Sequence, residues 1–268
     1  IANEMRYMLT QISAPAISKP GDIVSILVSM AEGTVLFIDE IHRLNKLAAE
    51  VLYTAMEDRK IHVAVGNGEA VTLDIAPFTL VGATTRTGLL PTPFLNRFGV
   101  HFRLEYYSLD ELIRIIARDA AVFGLPGSDE AWMEVATRAR GTPRIAKRLL
   151  RRVRDVVHAD CASCVTPDLV GTALRRLGVD DLGLESLDRR YLEIIARSFR
   201  GGPVGIESLA AALSENRDIL ENSIEPYLLS RGLVDRTARG REITLDGLKA
   251  IGMATLKAGR KAPDLPAM

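Results

Sequence analysis

Val35-Leu36-Phe37-Ile38-Asp39-Glu40-Ile41-His42 is the stretch on which the reading of this chain turns. A short apolar run follows the break at Gly33-Thr34 and closes on two acids, the pattern of a buried parallel strand. Open α/β sheets bind ligands at the carboxyl ends of such strands, so Asp39 and Glu40 stand where chemistry is done. The pair suits nucleotide hydrolysis, with Asp39 holding a magnesium-bound water shell and Glu40 orienting and polarising the attacking water. The same letters also fit a strand that ends in a solvated acidic turn, and a motif this short does not choose between the two.

Working outward, residues 20–32 carry helical spacing, and 47–58 do so again with Leu47, Val51, Leu52 and Ala55 on one stripe. Ile61, Val63 and Val65, then Gly66-Asn67-Gly68, then Val71, Leu73 and Ile75 alternate as a β-hairpin with a glycine-rich tip. Phe78 to Thr85 is a second buried strand, followed by a loop through Pro91 and Pro93 to Arg97. Strand and helix alternate, so residues 1–107 read as an α/β domain with a mainly parallel sheet. Residues 108–182 turn helical throughout. In 183–256, helices over 186–199, 206–213 and 216–230 precede a ribbon from Leu233 to Ile243 around a flexible Gly240, which suggests a winged helix-turn-helix. Residues 257–268 read as a disordered tail. Ile1-Ala2-Asn3-Glu4-Met5 reads as the middle of a helix without an N-cap, so the chain is expected to be a piece of a longer one.

Composition excludes several classes. The 268 residues balance 34 basic against 34 acidic side chains, so no global field draws the molecule to nucleic acid or to an anionic membrane. No 18-residue apolar run or secretory leader occurs, and two cysteines cannot build a disulfide framework; a cytoplasmic protein is expected. His158, Cys161 and Cys164 lack a fourth ligand nearby and are discounted as a zinc site. Trp132 sits at helical spacing with Val135 and is assigned to the core.

Further motifs follow in a fixed order. Gly82-Ala83-Thr84-Thr85-Arg86 brings hydroxyls to the end of the second strand, suited to a γ-phosphate or the lytic water. Asn96-Arg97-Phe98-Gly99 offers an arginine able to reach a neighbouring subunit's phosphate. Gly141-Thr142-Pro143-Arg144 opens a helix with Arg144 in its first turn, near an N-terminus that favours anions. Together with Leu36-Phe37-Ile38-Asp39-Glu40-Ile41-His42-Arg43-Leu44, Met56-Glu57-Asp58 and Gly201-Gly202-Pro203-Val204-Gly205, these closely resemble the RuvB family, bacterial Holliday-junction branch-migration motors of the AAA+ class. The resemblance spans residues 1 to about 252.

The resemblance implies an AAA+ large domain truncated at its N-terminus, a helical lid and a winged helix, working with ATP and Mg2+. Asp39 and Glu40 match the Walker B pair, Thr85 (or Thr84) the sensor-1 hydroxyl, Arg97 the arginine acting in trans, and Arg144 sensor 2. Glu57, Asp58, Arg59 and Tyr107 match nucleotide-contacting positions; an arginine at 59 departs from the aromatic common there. It also implies a homohexamer on Holliday-junction duplex DNA, acting in recombination and repair, a RuvA-like junction-binding protein held by the hairpin through Ile61, Val63 and Val65, and a RuvC-like resolvase as a further partner. The family's Gly-x-x-x-x-Gly-Lys-Thr loop is not among these residues, so the isolated chain is expected to bind ATP poorly and to be inactive alone. The alternative is a non-hydrolysing DNA-binding or interaction module.

Basic residues cluster from Arg140 to Arg154, and Arg144, Arg148, Arg151 and Arg152 share a face expected to serve nucleotide and subunit contacts. Arg236, Arg239 and Arg241 on the wing are the DNA candidates; by resemblance Arg236 and Arg241 form the DNA-contacting pair, joined by Arg217. Contacts to phosphate, insensitive to sequence, are expected.

Overall fold

The computed structural model describes residues 1–65, 69–160 and 162–253. The hairpin tip, Cys161 and the expected tail lie outside the described residues, as does the side chain of Val65. The chain divides into two units, residues 1–103 and 104–268.

In the first unit, α1 (Ala2–Met5) is a single turn closed by Arg6 in the left-handed region. Then come β1 (Leu9–Ser13), α2 (Pro20–Ser29), β2 (Val35–Asp39), α3 (Lys46–Asp58), the hairpin β3 (Lys60–Val65) and β4 (Glu69–Asp74), β5 (Thr79–Gly82) and α4 (Thr92–Leu95). The sheet is parallel in the order β1-β2-β5, with Ser13 opposite Asp39 and Gly82 opposite Ile38. The expected strand Val35–Asp39 is thus central, because its apolar run is covered on both faces. Ile23 and Leu27 of α2, Leu36 and Ile38 of β2, and Leu52 and Ala55 of α3 share one core. Each fully buried Leu or Ile contributes about 1.5–3 kcal/mol. Strand β1 carries only an alternating, half-exposed Leu-Thr-Gln-Ile-Ser. On α3 Leu52 and Ala55 are buried as expected and Val51 packs against the core, while Leu47 is exposed and Ala48 is buried beside them.

In the second unit, α5 (Leu109–Val122), α6 (Asp129–Thr137), α7 (Pro143–Ala159) and α8 (Pro167–Arg176) pack around Leu112, Ile116, Trp132, Leu150, Val153 and Leu174. Ser108 and Glu111 form a reciprocal cap at the start of α5. Trp132 is buried as expected, and a Cβ on Gly127 would stand 2.5 Å from its ring, so glycine permits that closure.

A second core in the same unit gathers Tyr191, Leu192, Ile195, Leu209, Leu228 and Leu248. It is built by α9 (Ser186–Arg197), α10 (Ile206–Leu213), α11 (Arg217–Ile219), α12 (Glu225–Ser230), the ribbon β6 (Val234–Thr237) and β7 (Gly240–Ile243), and α13 (Leu245–Ala250). The expected helix over 216–230 is one rod whose middle, Leu220–Ile224, widens into a π-turn. Pro226 has no N–H for a carbonyl in that stretch, which favours the wider winding. Gly240 is buried, not a flexible tip: a Cβ there would meet the Val204 carbonyl at 2.4 Å. The turn is instead made by Ala238 and Arg239, between the paired Thr237 and Gly240.

Candidate nucleotide site and DNA-facing wing

The parallel register delivers the catalytic candidates to one end of the sheet. Asp39 ends β2, exposed, with its Oδ1 accepting the Glu40 N–H at 3.0 Å. Glu40 adopts a left-handed conformation (φ 51°) that turns its side chain out of the strand direction. From there its Oε2 lies 3.3 Å from His42 Nδ1, which is 2.8 Å from Thr84 Oγ1. His42 Nδ1 thus lies between the carboxylate and the hydroxyl, a position that holds the Glu40 side chain. His42 is therefore an orienting group. The Ile41 N–H donates to the Ala83 carbonyl and the Ala83 N–H to that of Ile38, which locks the two strand ends together.

The structure separates the two threonines. Thr84 Oγ1 accepts the Arg86 N–H and lies beside His42. Thr85 is exposed, and its hydroxyl has no hydrogen-bond partner among the described residues. Of the two sensor candidates, Thr85 is the one left open to a ligand.

Arg97 follows α4, on a loop pinned by the edge-to-face pair Phe94 and Phe98, 5.4 Å between centroids. Its guanidinium folds onto α3, where it forms an ion pair with Glu57, donates to the Tyr53 hydroxyl at 3.2 Å and lies 5.0 Å from the centre of that ring. Tyr53 and Glu57 are one helical turn apart, which is why they share a face. Glu57 thus sits beside the arginine. Asp58 and Arg59 are exposed at the end of α3, where Arg59 is left-handed and its carbonyl accepts the Ile75 N–H. Tyr53 escaped the sequence reading; its spacing from Glu57 was the available signal.

Tyr107 and Arg144 meet at one corner of the lid, since the Tyr107 N–H donates to the Gly141 carbonyl at 2.9 Å just ahead of α7. Tyr107 is half-exposed and Arg144 exposed, without an ion-pair partner among the described residues. The expected basic face breaks up: Arg148 pairs with Glu185 and Arg152 with Asp155, which leaves Arg144 and Arg151 uncommitted among the described residues. Arg140 is a different case, 7% exposed in its side chain. It donates to the Gly183 carbonyl and to Asp188, and its guanidinium lies 4.6 Å from the Tyr227 ring centre. Tyr227 in turn donates to the Leu182 carbonyl. Arg140 therefore ties the lid to the winged helix. Burial pushes the Asp188 carboxyl above its ordinary range, against the pull of Arg140.

On the wing the candidates divide. Arg236 and Arg239 are exposed. Arg241, expected to touch DNA, is 6% exposed and inside the domain. It donates from Nε to Glu225 at 2.8 Å and from Nη2 to Glu221 at 3.1 Å, while Glu225 also accepts the Tyr191 hydroxyl at 2.8 Å. A β-ribbon alternates faces residue by residue, and the β6–β7 register puts Arg241 directly opposite Arg236 on the inner side, where it is the deeper of the two. Arg217 is exposed at the helix start and paired with Glu207 and Glu221.

The hairpin also corrects an expectation. Ile61 is buried in the core of the first unit and Val63 packs against it, so neither forms an exposed partner stripe. On the same face of the ribbon Val71, directly opposite Val63, is exposed.

Among the described residues no helix is long and apolar enough to cross a membrane, and no three His, Cys, Asp or Glu side chains gather to hold a metal by themselves.

Three family models match in sequence: the Holliday junction DNA helicase RuvB P-loop domain over residues 1–104, the RuvB AAA lid domain over 107–180 and the RuvB C-terminal winged helix domain over 181–252. Among solved structures, the Thermotoga maritima RuvB Holliday junction branch migration motor is 44% identical, with a TM-score of 0.84 over 93% of this chain and 80% of that one. A proline-to-glycine mutant of the same Thermotoga protein matches at 44% identity and a TM-score of 0.86, covering 93% and 81%. A site, a lid and a wing in this order, at this identity over this length, place the chain in the RuvB family.

Proposed function

We propose that this chain is a subunit of an ATP-driven motor that migrates Holliday junctions by drawing duplex DNA through a ring of six copies. The observation that carries the reading is the end of β2: Asp39 exposed, Glu40 oriented through His42 and Thr84, and Thr85 open beside them, in a chain that continues into a lid and a winged helix. The non-hydrolysing alternative is not favoured, because the matched sequence includes the catalytic domain.

In this reading Glu40 accepts a proton from the lytic water, and Thr85 donates a hydrogen bond to that water or to the terminal phosphate. Mg2+, when bound through Asp39, offsets phosphate charge. Arg97 leaves Glu57 for a neighbouring subunit's phosphate, which makes assembly a requirement of turnover, and Glu57, Asp58 and Arg59 face that same neighbour. Arg144 reads the nucleotide from the lid, beside Tyr107. Arg140 passes movement of the lid to the winged helix. Arg236 and Arg239 grip phosphates without reading bases, with Arg217 beside them. A RuvA-like partner meets the hairpin from Val71 outward, and a RuvC-like resolvase and a cytoplasmic location complete the picture. Activity is to be measured in a form that includes the family's Gly-x-x-x-x-Gly-Lys-Thr loop.

The test is ATP hydrolysis by that form on duplex DNA. Glu40→Gln is expected to lower turnover by about 10²- to 10⁴-fold while leaving nucleotide binding intact. Unchanged turnover would remove Glu40 from its role.

A further inference from the structure

Three arginines converge on one carboxylate at the root of the wing. Glu221 accepts from Arg217 Nε at 2.9 Å and from Arg241 Nη2 at 3.1 Å, and its Oε1 lies 3.7 Å from Arg236 Nη2. Arg236 and Arg241 are direct cross-strand neighbours in the β6–β7 register. Like charges so placed repel, and an anion between them offsets the cost. The carboxylate comes from the π-turn of the third helix, one turn after Arg217. Arg217 holds the Glu221 carboxyl below the usual carboxylate range through its hydrogen bond, so its charge is present at neutral pH. Glu225 already satisfies Arg241 from the buried side. Removal of Glu221 therefore leaves the inner arginine paired with Glu225, frees Arg236, and leaves Arg217 held by Glu207 alone.

We infer that Glu221 is an internal stand-in for a DNA phosphate: in the free protein it holds Arg217 and Arg236, and a backbone phosphodiester of duplex DNA takes those two guanidiniums from it. The inference rests on the reading of the wing as a DNA-binding element and adds to it a residue that sets the strength of the grip. The geometry supports it because a carboxylate and a phosphodiester present similar charged oxygens to a guanidinium fork. A motor that steps along DNA gains from such a competitor, since every released phosphate is replaced at once and no bare cation pair is left behind. Arg241 has no part in the exchange and serves as the strut that fixes the ribbon against Glu225 and Tyr191.

The experiment measures binding of a short fluorescent duplex to the full 268-residue chain across a salt series. Glu221→Gln keeps the shape and removes the charge. It is expected to tighten binding at low salt by about two- to fivefold, the scale of one ion pair released, and to steepen the log-log salt dependence by about 0.9, one more phosphate neutralised. Glu207→Gln, which frees only one contact of Arg217 and lies on an exposed helix face, is expected to act in the same direction and less. It serves as the check if Glu221→Gln melts early. Arg236→Gln tests the underlying reading. If it weakens binding while Glu221→Gln and Glu207→Gln leave affinity unchanged or lower it, the wing binds DNA but Glu221 is no competitor. If Arg236→Gln has no effect, the wing reading itself fails and the inference with it.

Discussion

The end of the sheet and the root of the wing both collect charged and polar side chains, and they commit them differently. At the sheet end Asp39 and Thr85 are exposed, and the hydrogen bonds around them run through Glu40, His42 and Thr84, which are held in place for something else to arrive. At the wing root every arginine of the expected DNA set except the tip residue Arg239 already has a carboxylate. The same contrast repeats inside one motif: Arg140 is sealed against Asp188 and Tyr227, and Arg144, one turn on, has no ion-pair partner among the described residues. A group left open in a rigid frame is suited to a ligand, whereas a group paired in the interior holds the frame itself.

The largest expected effect tests the sealed side. Arg241→Met leaves Glu225 buried without its cation, and removing one partner of such a pair costs about 3–5 kcal/mol. A denaturant melt of the second unit is expected to shift by that amount, with DNA binding lost only as folding is lost. If the variant is as stable as wild type but cannot bind DNA, Arg241 belongs on the open side. Arg140→Met is expected to cost a similar about 3 kcal/mol by stranding Asp188, whereas Arg144→Met is expected to stay within about 0.5 kcal/mol. Equal effects from the two would erase the distinction between them.

Acid provides a smaller perturbation. The Glu221 carboxyl is lowered in the folded state, so its contribution is complete above the ordinary carboxylate value and is lost as pH falls through its folded value. The winged helix is expected to weaken as pH drops below the usual carboxylate range, with Arg217, Arg236 and Arg241 then left facing a neutral acid. In Glu221→Gln that acid limb is expected to flatten in a pH series of thermal melts; an unaltered limb would assign the loss to other carboxylates. The smallest effect belongs to the tip: Arg239→Gln is expected to leave stability unchanged and to reduce the log-log salt slope of DNA binding by about 0.9.

How much of this was legible in the sequence follows from the same contrast. An apolar run closing on acids left two readings of Asp39 and Glu40 open, and the ordered motifs that follow, with Thr84 and Thr85, Arg97 and Arg144, chose between them. The strand Leu9–Ser13 was not legible, since an edge position lets Thr10, Gln11 and Ser13 stand where burial would exclude them. The inward turn of Ile61 was hidden because alternation gives two faces without saying which one the core takes. Arg236 and Arg241 look alike in sequence, and only the ribbon's packing against Glu225 and Tyr191 decides which is strut and which is exposed. Gly240 signals a special backbone, and its reason, the Val204 carbonyl pressed against it, lies 36 residues away in the chain.

The measurement that bears most directly on the central claim is dissociation of a synthetic four-way junction in the presence of ATP by a form carrying the phosphate loop, beside its Glu40→Gln variant. The account predicts ATP-dependent branch migration by the first, and by the second stable assembly on the junction without movement. Migration at an undiminished rate by Glu40→Gln, or no ATP-dependent migration by either form, would contradict it.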